Sequence, residues 1–269
     1  MIVPSVKQFL EQNYPQELYH VTVISDHMSD NTNDTLRALP ITLLTPTFEK
    51  SSKAKALQYA IRNITHNYDY VIILDADNLV LPDFLAKVEQ ATRKGYRAIQ
   101  CHRCAKNSDN SIAVLDGVSE EINNSIFRRA HNAIGLSSAL IGSGMCFDCQ
   151  WFKANVNHLS SAVEDRELEV QLMKQNIFIK FEENIRVFDE KVNNQDNFQK
   201  QRLRWMTGQV QSLINMLPYL PKAVISGNIN YIDKAIQQAL IPRSILLAVI
   251  LIMSLLLSVL VPEWCFKWW

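Results

Sequence analysis

Asp75 and Asp77, two aspartates separated by Ala76, follow directly on the apolar run Tyr70-Val71-Ile72-Ile73-Leu74. Such a run reads as a strand buried on both faces, as in the middle of a parallel sheet flanked by helices. Open α/β sheets bind ligands beyond the carboxyl ends of their strands, where carboxylates spaced i, i+2 project together into a crevice. Hard oxygen donors of this kind suit Mg²⁺ or Mn²⁺ held against a diphosphate. With 14 aspartates in 269 residues, about 0.7 D-x-D matches arise by chance. The strand context and the residues downstream therefore carry the reading.

Two further constellations could do chemistry. Glu164-Asp165 opens an acidic stretch that continues to Glu167 and Glu169; by itself this is also how a helix begins when its dipole favours acidic side chains. Gln201-Arg202-Leu203-Arg204-Trp205 contains Q-x-x-R-W, a pattern expected about 0.01 times by chance in this composition. Cys101-His102-Arg103-Cys104 and Cys146-Phe147-Asp148-Cys149 form a pair of C-x-x-C motifs. Paired motifs of this kind can hold zinc, but their wide separation and placement in expected strands favour buried, unpaired thiols.

The elements that must position these residues alternate between extended and helical patterns. Val21–Ser25, Leu39–Leu44, Tyr70–Leu74, Arg97–Cys101 and Ala113–Leu115 read as extended, with Tyr70–Leu74 central. Lys53–Asn63, Pro82–Thr92 and Gly117–Asn132 read as helices. The alternation implies βαβ units and a mainly parallel sheet. Glu190–Lys200 is polar enough for a loop leading into a helix near Phe198, whose apolar residues Leu203, Met206, Val210, Leu213, Ile214 and Leu217 make it amphipathic and fit for a membrane interface. From Ala239 to Val261 the chain is apolar enough to read as one transmembrane helix, with Arg243 before it and tryptophans after it.

Composition narrows the classes. Lys plus Arg and Asp plus Glu are equal at 27 each, so no global charge points to nucleic acid. Five cysteines, an odd number, fit a reducing compartment better than a disulfide framework. No signal-peptide pattern opens the chain.

Asp75/Asp77, Glu164-Asp165 and Gln201-x-x-Arg204-Trp205 ahead of a membrane segment resemble the membrane-integrated family-2 glycosyltransferases, the group with cellulose and hyaluronan synthases. Ser25-Asp26-His27-Met28-Ser29-Asp30, Lys53-Ala54-Lys55-Ala56-Leu57 and Gly142-Ser143-Gly144-Met145 extend the resemblance. It implies a GT-A (Rossmann-like) α/β catalytic domain over 1–197, an interfacial helical region over 198–238 and a transmembrane helix over 239–262. It also implies that the chain lacks a first strand and further membrane helices, which a partner could supply.

The implied reaction is inverting transfer of a sugar from a UDP-sugar to a glycan or lipid-linked acceptor at the cytoplasmic membrane face, as in polysaccharide biosynthesis. By the same resemblance Asp26 accepts from the uracil imide and Lys53 meets the diphosphate. Asp77 holds Mg²⁺ or Mn²⁺, with Asp75 on the nucleotide or the metal. Asp165 is the general base, Glu164 orients it, and Arg204, with Gln201, serves the diphosphate. Trp205, Ser143 and Gly144 lie toward the acceptor. The alternative is an inactive, membrane-anchored remnant of the same fold.

Overall fold

The computed structural model describes residues 2–160, 163–191, 195–240 and 243–261. Helix α1 (Ile2–Phe9) is followed by β1 (Thr22–Ile24), α2 (Asp30–Arg37), β2 (Thr42–Leu44), α3 (Lys53–Asn63), β3 (Tyr70–Ile73), β4 (Leu79–Val80), α4 (Phe84–Thr92) and β5 (Ala98–Ala105). Next come α5 (Ser111–Asn123), a π-helical turn at Asn124–Ala130, the short α6 (His131–Ala133), β6 (Met145–Asp148), α7 (Cys149–Asn155), α8 (Glu164–Lys174) and β7 (Ile179–Asp189). Four helices close the order: α9 (Gln195–Met216), α10 (Leu220–Ile225), α11 (Ile229–Ala239) and α12 (Arg243–Leu260).

The strands form two sheets, β1-β2 and β3-β6-β5-β7-β4. β1 with β2 and β5 with β7 run parallel, whereas β3 with β6, β5 with β6 and β4 with β7 run antiparallel. The expectation of a mainly parallel sheet is therefore corrected to a mixed one, because β6 and β4 enter against their neighbours. β3 is also not central: among the described strands it stands at an edge, and Tyr70, Val71 and Ile72 keep partial exposure. Ala113–Leu115, read as extended, lies in α5, where Asn110 accepts from Ala113 N and caps the helix.

Alternation along the strands builds two cores. Met145 and Phe147 of β6 face α7 and α8, with Phe147 stacked on Phe152 at 5.5 Å, while Cys146 turns to the opposite face with Ile99, Cys101 and Phe84. Helix α1 joins the two sheets. It packs Val6 against Val23 and Leu36, and its Gln8 accepts from Val80 N at 3.3 Å while Gln12 bonds Leu81 O and Leu85 N.

The C-terminal helices attach to α8. Buried Lys234 of α11 pairs with buried Glu169 of α8 at 3.1 Å, and Arg166 donates to Gln238 at 2.6 Å. Burial lowers the Lys234 ammonium below its usual range despite Glu169. Helix α9 crosses the start of α8 at Gly208, where a β-carbon would stand 2.6 Å from Val163 Cγ1. Leu203, Met206, Val210 and Ile214 form an exposed stripe on α9, continued by Leu217 just past its end, spaced as one helical face. Among the described residues no helix is long and apolar enough to cross a membrane.

Because a β-carbon at 208 would meet Val163 Cγ1 at 2.6 Å, Gly208→Ala should lower the thermal midpoint: overpacking costs about 1–3 kcal/mol, partly offset by about 1 kcal/mol of helix propensity. Val163→Ala should relieve the clash, so a double-mutant cycle by thermal melting should show coupling above about 0.5 kcal/mol. Strict additivity would refute the contact.

Candidate active site

The chain leaves β3 at Ile73 and folds Asp75–Asn78 into a tight turn closed by Asn78 N to Asp75 O at 3.1 Å. Asp75 N donates to Asn78 Oδ1 at 3.0 Å and Ser143 Oγ at 3.2 Å, and Ser143 also bonds Asn78. Gly144 N, from the strap before β6, donates to Ile73 O at 2.9 Å, and Gly144 O accepts from Cys101 N at 2.8 Å. Only a glycine fits that passage. Gly144 has φ +64°, and a β-carbon would stand 3.1 Å from Val187 and 3.2 Å from Cys101. Gln100, fully buried in β5, braces the strap by donating to Ser143 O at 2.9 Å and accepting from Ile141 N at 3.0 Å.

Lys53 opens α3, whose N-cap is Ser52. Its ammonium bonds Asp75 Oδ1, donates to Gly142 O at 2.6 Å and lies 3.5 Å from Glu164 Oε1. Burial alone would lower the Lys53 pKa, but the Asp75 and Glu164 carboxylates outweigh it and hold it above the usual range. Gly142, at φ +73°, leaves the open point among them: a β-carbon there would sit 3.5 Å from Asp165 Oδ2, 3.9 Å from Glu164 Oε1 and 4.0 Å from Lys53 Nζ. Lys53, Asp75, Glu164 and Asp165 thus converge from three separate stretches of chain.

Both carboxylates at the start of α8 resist ionisation. Burial pushes Asp165 above the usual aspartate range, against the pull of the Arg166 charge and the Arg166 N–H bonded to it at 2.8 Å. Burial likewise raises Glu164, with Lys53 opposing and Asp165 adding to the rise. Asp77 is raised by burial and by the nearby charges of Asp189 and Asp75. Crowded oxygen donors of one sign are what a divalent cation relieves, so Asp77 and Asp75 fit Mg²⁺ or Mn²⁺ shared with a diphosphate. Asp189 is held by Asn78 at 3.2 Å and Lys191 at 3.0 Å, and Lys191 and Arg103 both pair with buried Glu120.

Other expected site residues fall differently. Asp26 lies two residues past β1 and bonds His27 Nδ1 at 2.6 Å; His27 has φ +60° and reaches Ser51 at 3.3 Å, next to the cap of α3. Ser143 is fully buried against the D-x-D turn and Gly144 is packed under Val187, so neither can touch an acceptor; Gly142 is the strap residue that faces the crevice. Among the described residues no hydrogen bond or ion pair joins Gln201, Arg204 or Trp205 to Lys53, Asp75, Asp77, Glu164 or Asp165. Gln201 Oε1 is buried without a partner, Arg204 is exposed, and Trp205 lies under the Arg202 guanidinium at 5.0 Å. Helix α9 nonetheless brings them within a turn or two of Gly208, which touches Val163 beside Glu164. The four described cysteines are free, with Cys101 and Cys146 on the sheet and Cys149 in α7, and burial pushes the Cys104 thiol up to about 11. No zinc cluster of two C-x-x-C motifs forms among them.

Reading the chain as sequence missed Asn78, Gln100, Asp189 and Lys191. Gln100 carried a usable signal, a lone amide inside an apolar strand, since buried polar groups are hydrogen-bonded for a reason.

The sequence profile of glycosyl transferase family group 2 matches residues 70–269. The chain belongs to that family. No curated relative matches it. Among solved structures, this glycosyltransferase is similar to the mannosyltransferase PcManGT from Pyrobaculum calidifontis, determined with GDP-Man and Mn²⁺, at a TM-score of 0.58 and 17% identity over 99% of this chain and 79% of that one. It is also similar to residues 1–349 of TarS from S. aureus, at a TM-score of 0.54 and 11% identity over 80% of this chain and 61% of that one. At these identities the likeness establishes a GT-A-like fold, in which this transferase sets its D-x-D turn against the Lys53 cluster.

Because the fold raises Asp165 above its usual 3.8, the folded state holds more protons than the unfolded one from about that pH upward, and stability falls as pH rises through the window. Asp165→Asn cannot ionise. It should melt above the wild type at pH 7, with the gap closing as pH falls toward 3.8. A lower midpoint at pH 7 would refute the burial cost.

Proposed function

We propose that this glycosyltransferase moves a sugar, with inversion, from a nucleotide-sugar of the UDP-sugar class to a hydroxyl of a glycan or lipid-linked acceptor. The convergence of Lys53, Asp75, Glu164 and Asp165 on the open point at Gly142 carries the reading. It sets an ammonium and a hard-oxygen pair beside a carboxylate whose pKa is raised, as a general base working near neutral pH requires. The neighbours' complexes with GDP-Man and Mn²⁺ and with UDP support a nucleotide-sugar donor.

In this reading Asp165 accepts the proton of the acceptor hydroxyl as its oxygen bonds to the anomeric carbon. The bond from that carbon to the diphosphate oxygen breaks on the opposite face, and its electron pair leaves with the nucleoside diphosphate. Lys53 is placed to turn from Asp75 to the departing diphosphate, an electrostatic contribution of the kind that dominates such reactions. Glu164 holds Lys53 and shares the carboxylate pocket with Asp165, so it positions rather than reacts. Asp77 and Asp75 would hold a divalent cation, which would supply charge neutralisation for the same leaving group. Arg204 and Trp205, carried on α9 beside the start of α8, suit the donor phosphate and a sugar face respectively.

The reading also puts the catalytic part at a cytoplasmic membrane face. Ile245, Leu246, Leu247, Val249, Leu251, Ile252, Leu255 and Leu256 are exposed around α12, and the apolar stripe of α9 is exposed as well. A helix apolar on all sides needs lipid or protein around it. A chain ended at Ala239 should lose most of its recovery with sedimented anionic liposomes, while the full chain sediments with them; equal recovery would remove the membrane assignment.

Membrane fractions carrying the full chain should release nucleoside diphosphate in a Mn²⁺-dependent manner when offered a panel of UDP-sugars and GDP-mannose. Asp165→Asn should lower that release by about 10²–10⁴-fold while keeping nucleotide binding. Binding without release above the Asp165→Asn level would instead favour an inactive member that retains the fold.

A further inference from the structure

His102, Cys104 and Glu121 lie outside the transfer site and take no part in it. His102 and Cys104 stand two residues apart on β5 and so share a face of the sheet, and Glu121 descends on them from α5. One donor atom from each, a nitrogen, a sulfur and an oxygen, lies within 4.8 Å of the other two. We propose that these three side chains bind a borderline divalent cation of the Zn²⁺ class at a site separate from Asp75 and Asp77.

The histidine carries the argument. Its Nδ1 lies 3.2 Å from Glu183 O, and its Nε2 lies 2.9 and 3.1 Å from the two Glu121 oxygens. Both ring nitrogens therefore face acceptors, yet a neutral imidazole has a single N–H. With that single N–H on Nδ1, no hydrogen lies between Nε2 and the carboxylate, and a cation fits the place. With Nδ1–H given to the Glu183 carbonyl, the Nε2 lone pair points at Glu121, the tautomer and outer hydrogen bond that metal-binding histidines use.

The sheet is shaped for that contact. Pairing of β5 with β7 jumps from Cys101↔Glu182 to His102↔Arg186, so Glu183, Asn184 and Ile185 bulge out, and Glu183 turns its carbonyl onto the ring. Phe181 fixes the ring from the side at 5.7 Å, and Asn124, at the start of the π-helical turn, holds Glu121 at 3.4 Å. On binding, the Cys104 sulfur gives its proton to solvent and takes the cation in its place. Nitrogen, thiolate and carboxylate together select Zn²⁺ over Mg²⁺ or Mn²⁺. Glu121 is half-exposed and borders a groove of about 490 Å³ along α5, which leaves a fourth position open to water.

The test is a Co²⁺ titration of the metal-stripped full chain, with Zn²⁺ as competitor. The expected result is one equivalent with a near-ultraviolet thiolate-to-cobalt band that Zn²⁺ abolishes. The band should survive Asp75→Asn/Asp77→Asn, disappear in Cys104→Ser, and require about tenfold or more Co²⁺ in His102→Ala. Glu121→Gln, at an exposed position, should weaken binding while melting like the wild type without metal, which separates ligand loss from misfolding. No band in the wild type, a band that persists in Cys104→Ser, or one lost with the aspartate pair would overturn the proposal.

Discussion

Lys53 is the cation on which the site depends. Three carboxylates from two distant segments, Asp75, Glu164 and Asp165, crowd around one open point at Gly142, and desolvation alone would disperse or neutralise them. One ammonium at the head of α3, held by the Gly142 carbonyl, makes the crowding tolerable. The same pattern recurs behind it, where Arg103 and Lys191 hold Glu120 and Asp189 together and Asp189 in turn holds Asn78. The D-x-D turn thus stands between two buried charge groups. Its position is set by electrostatics from both sides, and its backbone is fixed by Ser143 and Asn78.

The residues that the fold gathers beside Gly142 are ones whose chemistry and spacing drew notice in the sequence. Asp75, Asp77, Lys53 and the Glu164-Asp165 pair stand at strand or helix ends, and ends are where local patterns speak most clearly. What could not be read was direction. Nothing in the run Tyr70–Leu74 tells a central parallel strand from an apolar edge strand, because both ask for the same side chains. Antiparallel entry of β6 depends on the long passage through α5 and the π-helical turn, whose geometry is decided by packing rather than local preference.

Ser143 and Gly144 show the second limit. Small residues in a strap suggest close approach of something, and the structure makes that something the protein itself: Gly144 admits Val187 and Cys101, while Ser143 ties the aspartate turn. A side chain's burial is a property of the whole fold, so a residue type that suits a ligand equally suits a brace. Asn78 and Asp189 gave no such signal, since the bond that joins them spans 111 residues of chain.

The unpaired side of β3 carries a consequence for how this enzyme behaves in a test tube. Tyr70, Val71 and Ile72 keep part of their surface while packing against the cores, and the outer edge of β3 meets no other described strand. Edges of that kind template pairing with any extended segment at hand. Concentration, ionic strength and detergent choice will therefore govern whether molecules stack edge to edge.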